Sequence, residues 1–176
     1  MNYHRMLSVL ELLENTVKHS DDFPILAASA RVCKDWSELA LNVLWRHITN
    51  LYDLFSLLAP IRKEAQETRY EFVRELSPED WVNFDRYASR VRALFYVEYL
   101  PREGQSESFV LKQLSKTVFD TVAAKCPHPN AILPRLQSIG WNTSVHEIAV
   151  ASTIFIHEKL EKFIIDIPEA AFGTSL

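Results

Sequence analysis

The sequence predicts a mixed α/β protein, mainly helical, in which a module of three short helices precedes short strand–helix units. Three observations predict it. Apolar residues recur at helical spacing between Met6 and Ile48, interrupted by a turn cluster at Ser20-Asp21-Asp22-Phe23-Pro24. Ser77-Pro78-Glu79-Asp80 is a strong helix start well downstream of that module. Leu136, Ile139 and Trp141 are matched 24 residues later by Leu160, Phe163 and Ile165, and 45 residues earlier by Val91, Leu94 and Tyr96. These signals divide the chain into a trihelical module at residues 5–48, a helical connecting region at 49–89 and a region of strand–helix units at 90–176.

The chain has 176 residues, 48% apolar and 24% charged, enough to bury a core as one domain or two small ones. A net charge of -4 supplies no basic field for nucleic acid or an anionic membrane. The longest apolar stretch, near Ile148 to Ile156, is broken by Ser152 and Thr153 and falls short of the roughly 20 residues a membrane helix needs. Glu11 and Glu14 interrupt the N-terminal apolar run where a signal peptide would be continuous. With only Cys33 and Cys126 for thiols, the chain reads as intracellular, cytoplasmic or nuclear, and the Asn142-Thr143-Ser144 sequon as unused.

In the first module, Leu7, Val9, Leu10, Leu12, Leu13 and Val17 give helix one a stripe wider than one face needs. Asp22 and Pro24 start a second helix carrying Ile25, Leu26, Ser29 and Val32. A third begins near Asp35, with Trp36, Leu39, Ala40, Val43 and Leu44 on one stripe and Trp45 just off it. Leu12, Val17, Leu26 and Leu39 are expected in the core, and Cys33 is expected to be buried.

In the connecting region, Leu51, Leu54, Phe55 and Leu58 have helical spacing and stop at Ala59-Pro60. The charged run Arg62 to Arg69 predicts a loop or a solvated helix, and Tyr70 with Phe72 a short edge strand. The helix begun at Ser77 places Trp81, Phe84, Ala88 and Val91 on one side. Glu79 and Asp80 cap it rather than form a catalytic carboxylate pair.

In the last region the Leu-x-x-Leu-x-Leu pattern at a step of 20 to 29 residues is the leucine-rich-repeat signal. Between the strands, Leu111, Leu114, Val118 and Val122 share a helix face, and Ser144-Val145-His146-Glu147 opens another helix with a capping box that continues through Ile148 and Phe155. Residues between the buried strand positions would line a concave, target-binding face: Ser138, Gly140, Lys162 and Ile164. They contain no charge or aromatic cluster that names a target class. Ala170 to Leu176 carry no capping repeat, which predicts an array continuing in a longer natural chain.

Catalytic and metal chemistry find no support. Cys126-Pro127-His128 offers two ligands where zinc takes four. Gly104, Gly140 and Gly173 are the only glycines, so no phosphate-cradling loop exists, and no Gly-x-Ser-x-Gly elbow is present. His146 and His157 are expected on helix or loop surfaces. No catalytic residue, metal or cofactor is expected.

The order Leu-Glu-Leu-Leu at 10–13, Val-Cys-Lys-Asp-Trp at 32–36 and Leu-Trp-Arg at 44–46 resembles an F-box. Ser-Pro-Glu-Asp-Trp at 77–81, before a helix ending in Arg-Val-Arg, resembles the large F-box group of mushroom-type fungi. The resemblance implies a trihelical unit that docks on the Skp-type adaptor of an SCF ubiquitin ligase and through it on a cullin, with the remainder of the chain recruiting a protein substrate. Carried over by position, the adaptor-facing residues are Val9, Leu10, Leu13, Pro24, Val32, Trp36, Leu44 and Trp45. Leu10 stands where the family usually has proline, which keeps an apolar contact, loses a backbone restriction and implies weaker docking. The alternative is a ubiquitin-independent leucine-rich-repeat scaffold with the three helices as its cap. A helix-turn-helix DNA reader would need basic residues where Asp35, Glu38 and Asn42 stand.

Overall fold

The computed structural model describes residues 23–63, 69–98, 112–128 and 131–166, in two compact units, Met1–His47 and Ile48–Leu176. The expected first helix, with Val9, Leu10 and Leu13, lies outside the described residues, as do Asp22, the expected cap of the second helix, and Leu111.

In the first unit, α1 (Phe23–Ser29) and α2 (Lys34–Leu44) pack on each other. Pro24 sits in the first turn of α1, where a missing N–H costs nothing. Leu26 of α1 is buried, and Trp36, Leu39, Val43 and Leu44 of α2 pack against it while staying half exposed. Ala40 completes the stripe, fully buried. Cys33 corrects its expectation: it is exposed, because it occupies the extended corner before α2 and belongs to neither helical stripe.

The second unit is built on a four-stranded sheet. After β1 (His47–Ile48) come α3 (Leu51–Phe55), β2 (Ile61–Lys63), β3 (Tyr70–Phe72), α4 (Pro78–Ala88) and β4 (Ala93–Val97). Then follow α5 (Lys116–Lys125), β5 (Ser138–Asn142), α6 (His146–Ala151) with a 3₁₀ turn (Ser152–Phe155), and β6 (Lys162–Asp166). The sheet order is β1-β4-β5-β6, while β2 and β3 make a separate antiparallel hairpin.

The expected offsets become registers. In the parallel pair β4–β5, Leu94 lies beside Ile139 and Tyr96 beside Trp141, 45 residues apart. In the parallel pair β5–β6, Ile139 lies beside Phe163 and Trp141 beside Ile165, 24 apart. Although 45 is nearly twice 24, β4 and β5 are neighbours, so the longer step is a single crossover containing α5 rather than two units. Helices α5 and α6 cover one face of the sheet, as parallel crossovers require. Their Val118, Phe119, Val122, Ile148 and, after α6, Phe155 are buried with Leu94, Tyr96, Ile139 and Trp141. Phe55 of α3 joins this core, its ring 5.9 Å from Phe119, 6.4 Å from Phe84 and 6.4 Å from Phe155. Trp81, Phe84, Ala88 and Val91 all face inward, as the spacing of α4 predicts.

Two local expectations are corrected. The charged run after Arg62 is not wholly loop or helix, since Ile61–Lys63 pairs with β3 and places Arg62 opposite Glu71. A solvated hairpin meets the same charge pattern through cross-strand pairs. Helix α6 is not opened by Ser144. Its N-cap is Val145, which has no side-chain cap bond, and the Val145 N–H instead donates to Thr143 Oγ1 at 3.1 Å.

Helix α4 does carry its capping box. Ser77 N–H donates to Asp80 Oδ2 at 2.7 Å, and Arg74 grips both carboxylate oxygens at 2.7 and 2.6 Å. The Arg74 hydrogen bonds, against a burial effect of opposite sign and with help from Ser77, hold the Asp80 carboxyl well below the usual carboxylate range. A depressed folded-state pKa gives stability that is complete above the unfolded value of about 3.9 and disappears as pH falls through the folded value. Asp80→Asn, which removes the charge beside Arg74 and at the helix N-terminus, should therefore cost about 0.5–1 kcal/mol at neutral pH. In urea titrations the gap between variant and parent should close on acidification below about pH 4.

Candidate functional site

The residues expected to meet an adaptor divide by burial. Pro24 is exposed and Val32 is 63% exposed, so both present apolar carbon to solvent. Trp36 and Leu44 are half-buried against Leu26 and serve the α1–α2 core with part of their surface. Trp45, also half-buried, caps α2, its N–H donating to Leu41 O at 3.0 Å. Among the described residues of this unit only Leu26 and Ala40 are buried.

The residues expected on the concave face do share one face of the second unit's sheet. The registers set Ser138 beside Lys162 and Gly140 beside Ile164, with Ser138 and Gly140 half-buried and Lys162 and Ile164 exposed. Phe95 joins them, because it pairs with Gly140 from the other side. Its ring lies across β5: a Cβ at Gly140 would stand 2.7 Å from Phe95 Cδ1. Glycine is thus the residue that lets a 45% exposed phenylalanine ring lie flat on the sheet. The structure adds one aromatic side chain to this face, Phe95, in the row Phe95–Gly140–Ile164. Lys162 flanks it at one end of the strands. At the other, Asn142 donates to Asp166 at 2.8 Å. Such a strip, apolar in the middle and polar at both ends, suits a protein surface or an extended chain.

Strand β6 departs from the expected burial. Phe163 and Ile165 are in register with Ile139 and Trp141, yet each is 41% exposed. Among the described residues no helix follows β6 to cover that side.

The polar residues at the ends of β4 and β5 form a clamp. Glu98, nearly fully buried, meets the Arg69 guanidinium at 2.5 Å through Oε1 and accepts the Thr143 hydroxyl through Oε2. The Arg69 contact acts as charge attraction rather than as a well-angled hydrogen bond. Arg69 Nη1 also donates to Leu114 O at 3.1 Å. Beside this clamp, burial and then the Glu98 charge push the Tyr96 hydroxyl's pKa up, so it stays a neutral phenol.

A cleft of about 880 Å³ is lined by residues including Asp85, Ser89, His128 and His157. His128 Nε2 lies 2.8 Å from Asp85 Oδ2. Ser89 donates its hydroxyl to Arg86 O, and His157 Nδ1 accepts from Lys159 N–H. Among the described residues lining it, no hydroxyl is aligned with an imidazole as acyl-transfer chemistry would need. Among the described residues no three His, Cys, Asp or Glu side chains cluster as metal ligands would, and no helix is long and apolar enough to cross a membrane.

Comparison of the chain with family models, with curated proteins and with solved structures finds no match in any of the three.

Proposed function

We propose that this chain is a substrate-recognition subunit of an SCF-type ubiquitin ligase. In this reading the first unit is an F-box that docks on a Skp-type adaptor and through it on a cullin. The second unit is a short leucine-rich-repeat-like array whose outer sheet face selects a protein target. The observation that carries the reading is the thin core of the first unit. Leu26 and Ala40 are its only buried described residues, while Pro24 and Val32 stay outside and Trp36, Leu44 and Trp45 are half covered. A self-contained cap would cover such side chains, whereas a docking module keeps them for its partner. The Val-Cys-Lys-Asp-Trp and Leu-Trp-Arg motifs fall in this same unit.

Target selection is assigned to the row Phe95–Gly140–Ile164, since exposed aromatic and aliphatic side chains on a rigid sheet make efficient anchors. The test of adaptor docking is co-expression of the full chain with a Skp-type adaptor. Wild type should co-purify stably, and Val32→Asp, at an exposed position outside the α1–α2 core, should lose association by about tenfold or more. A wild-type chain that stays soluble and alone would overturn the assignment and favour the ubiquitin-independent scaffold.

A further inference from the structure

We propose that β6 is a homodimerisation strand: two copies of this chain pair their Lys162–Asp166 edges antiparallel about Ile164, joining two four-stranded sheets into one. The inference is independent of the ubiquitin-ligase reading. It starts from the edge itself. All five residues of β6 are exposed, and among the described residues no strand lies beyond it. Its centre is Phe-Ile-Ile, at 41%, 50% and 41% exposure, with no proline or bulge to discourage pairing. An apolar edge left uncovered among the described residues is what lone sheets avoid.

The backbone sets which groups are free. Lys162 N–H donates to Gln137 O at 3.0 Å, and Asp166 O accepts from Thr143 N–H at 3.2 Å. Residues 162, 164 and 166 therefore turn their polar backbone groups toward β5. By strand alternation, Phe163 and Ile165 turn theirs to the open edge. An antiparallel mate centred on Ile164 puts Phe163 opposite Ile165 of the second copy, and Ile165 opposite Phe163. Both are then reciprocal hydrogen-bonded pairs, which is the ladder those outward groups require.

The same register makes the side chains self-complementary. Lys162 falls opposite Asp166 of the second copy at both ends, and Ile164 meets its own equivalent at a close, non-hydrogen-bonded position. On the other face Phe163 covers Ile165 of the second copy. Moving the centre by one residue, to Phe163 or Ile165, keeps the ladder and loses the Lys–Asp pairs, so charge selects one register. A heterologous peptide would have to reproduce this pattern, whereas a second copy carries it already. The dimer would also run the Phe95–Gly140–Ile164 row across the two-fold axis, doubling the apolar strip.

The experiment is sedimentation equilibrium of the full chain over a dilution series, with circular dichroism to verify the fold of each variant. Wild type should self-associate reversibly. Lys162→Asp should weaken the dimer roughly tenfold, because two attractive cross-strand pairs become repulsive. The double exchange Lys162→Asp with Asp166→Lys should restore it. In a chain with Cys33→Ser and Cys126→Ser, Ile164→Cys should give an oxidised, disulfide-linked dimer, since paired Cα atoms about 4.5 Å apart are within disulfide reach. Lys162→Cys, far from its own equivalent, should not. A wild-type monomer at every concentration would overturn the proposal. So would a dimer indifferent to the charge exchange.

Discussion

Trp141→Ala is expected to destabilise the second unit by about 4–5 kcal/mol, near the upper end for truncation of a core aromatic. Trp141 is 1% exposed at the centre of the sheet's covered face. Its ring stacks on Tyr96 at 4.3 Å and contacts Phe119 at 6.0 Å and Phe155 at 5.8 Å, so one truncation strips a strand, a helix and the 3₁₀ turn of a shared partner. The indole N–H adds a polar loss, because it donates to Ile148 O at 3.1 Å inside α6, at a buried site. Urea unfolding followed by far-ultraviolet circular dichroism measures the loss. Trp141→Phe separates the components: it keeps most of the ring packing and takes the indole donor from the Ile148 carbonyl, so it should lie well above alanine in stability yet below wild type. A cost under about 1 kcal/mol for the alanine variant would mean that this aromatic cluster is not the unit's core.

Trp141 was legible in the sequence because the apolar pattern around it repeats. The offsets of 45 and 24 that align it with Tyr96 and Ile165 are the registers of the sheet. The same offsets reach further than hydrophobic pattern alone. Phe95 lies 45 residues before Gly140, so its place on the outer face was available from the alignment. What the alignment lacks is the reason: the ring needs a missing Cβ on the next strand, a contact between residues far apart in the chain. Glu98 and Thr143 share that 45-residue step, directly after the aligned strands. Their pairing is not legible in the pattern, because a single glutamate and a single threonine look solvated until the backbone around them is buried. Burial failed for Phe163 and Ile165 on different grounds. Periodicity identifies which face a residue takes, whereas exposure depends on whether another element covers that face. In the first unit, spacing placed Trp36, Leu39, Ala40, Val43 and Leu44 on the side of α2 that packs on Leu26. It carried no information about Cys33, whose corner position is set by the link between helices.

Arg69→Met should cost about 3–5 kcal/mol, an effect comparable with loss of a core side chain although no apolar contact is primarily at stake. The Glu98 carboxylate has 1% side-chain exposure, and Arg69, at 22%, is the cation that offsets its removal from water. Taking the cation away leaves a desolvated charge, while the Leu114 carbonyl loses the Arg69 donor. The decisive comparison is with the paired change. Arg69→Met with Glu98→Leu removes both charges and should recover much of the loss, because an apolar pair of similar volume can match a buried ion pair. It should not recover all of it, since the buried Thr143 hydroxyl then lacks its acceptor. Adding Thr143→Val should regain part of that remainder, leaving Val145 N–H without its cap as the residual defect. Stability of the four proteins in low and high salt checks the argument. Penalties that add independently would mean that Arg69, Glu98 and Thr143 do not act as one clamp. Strong weakening of the wild type by salt would mean that the Arg69–Glu98 contact is open to solvent, against its burial.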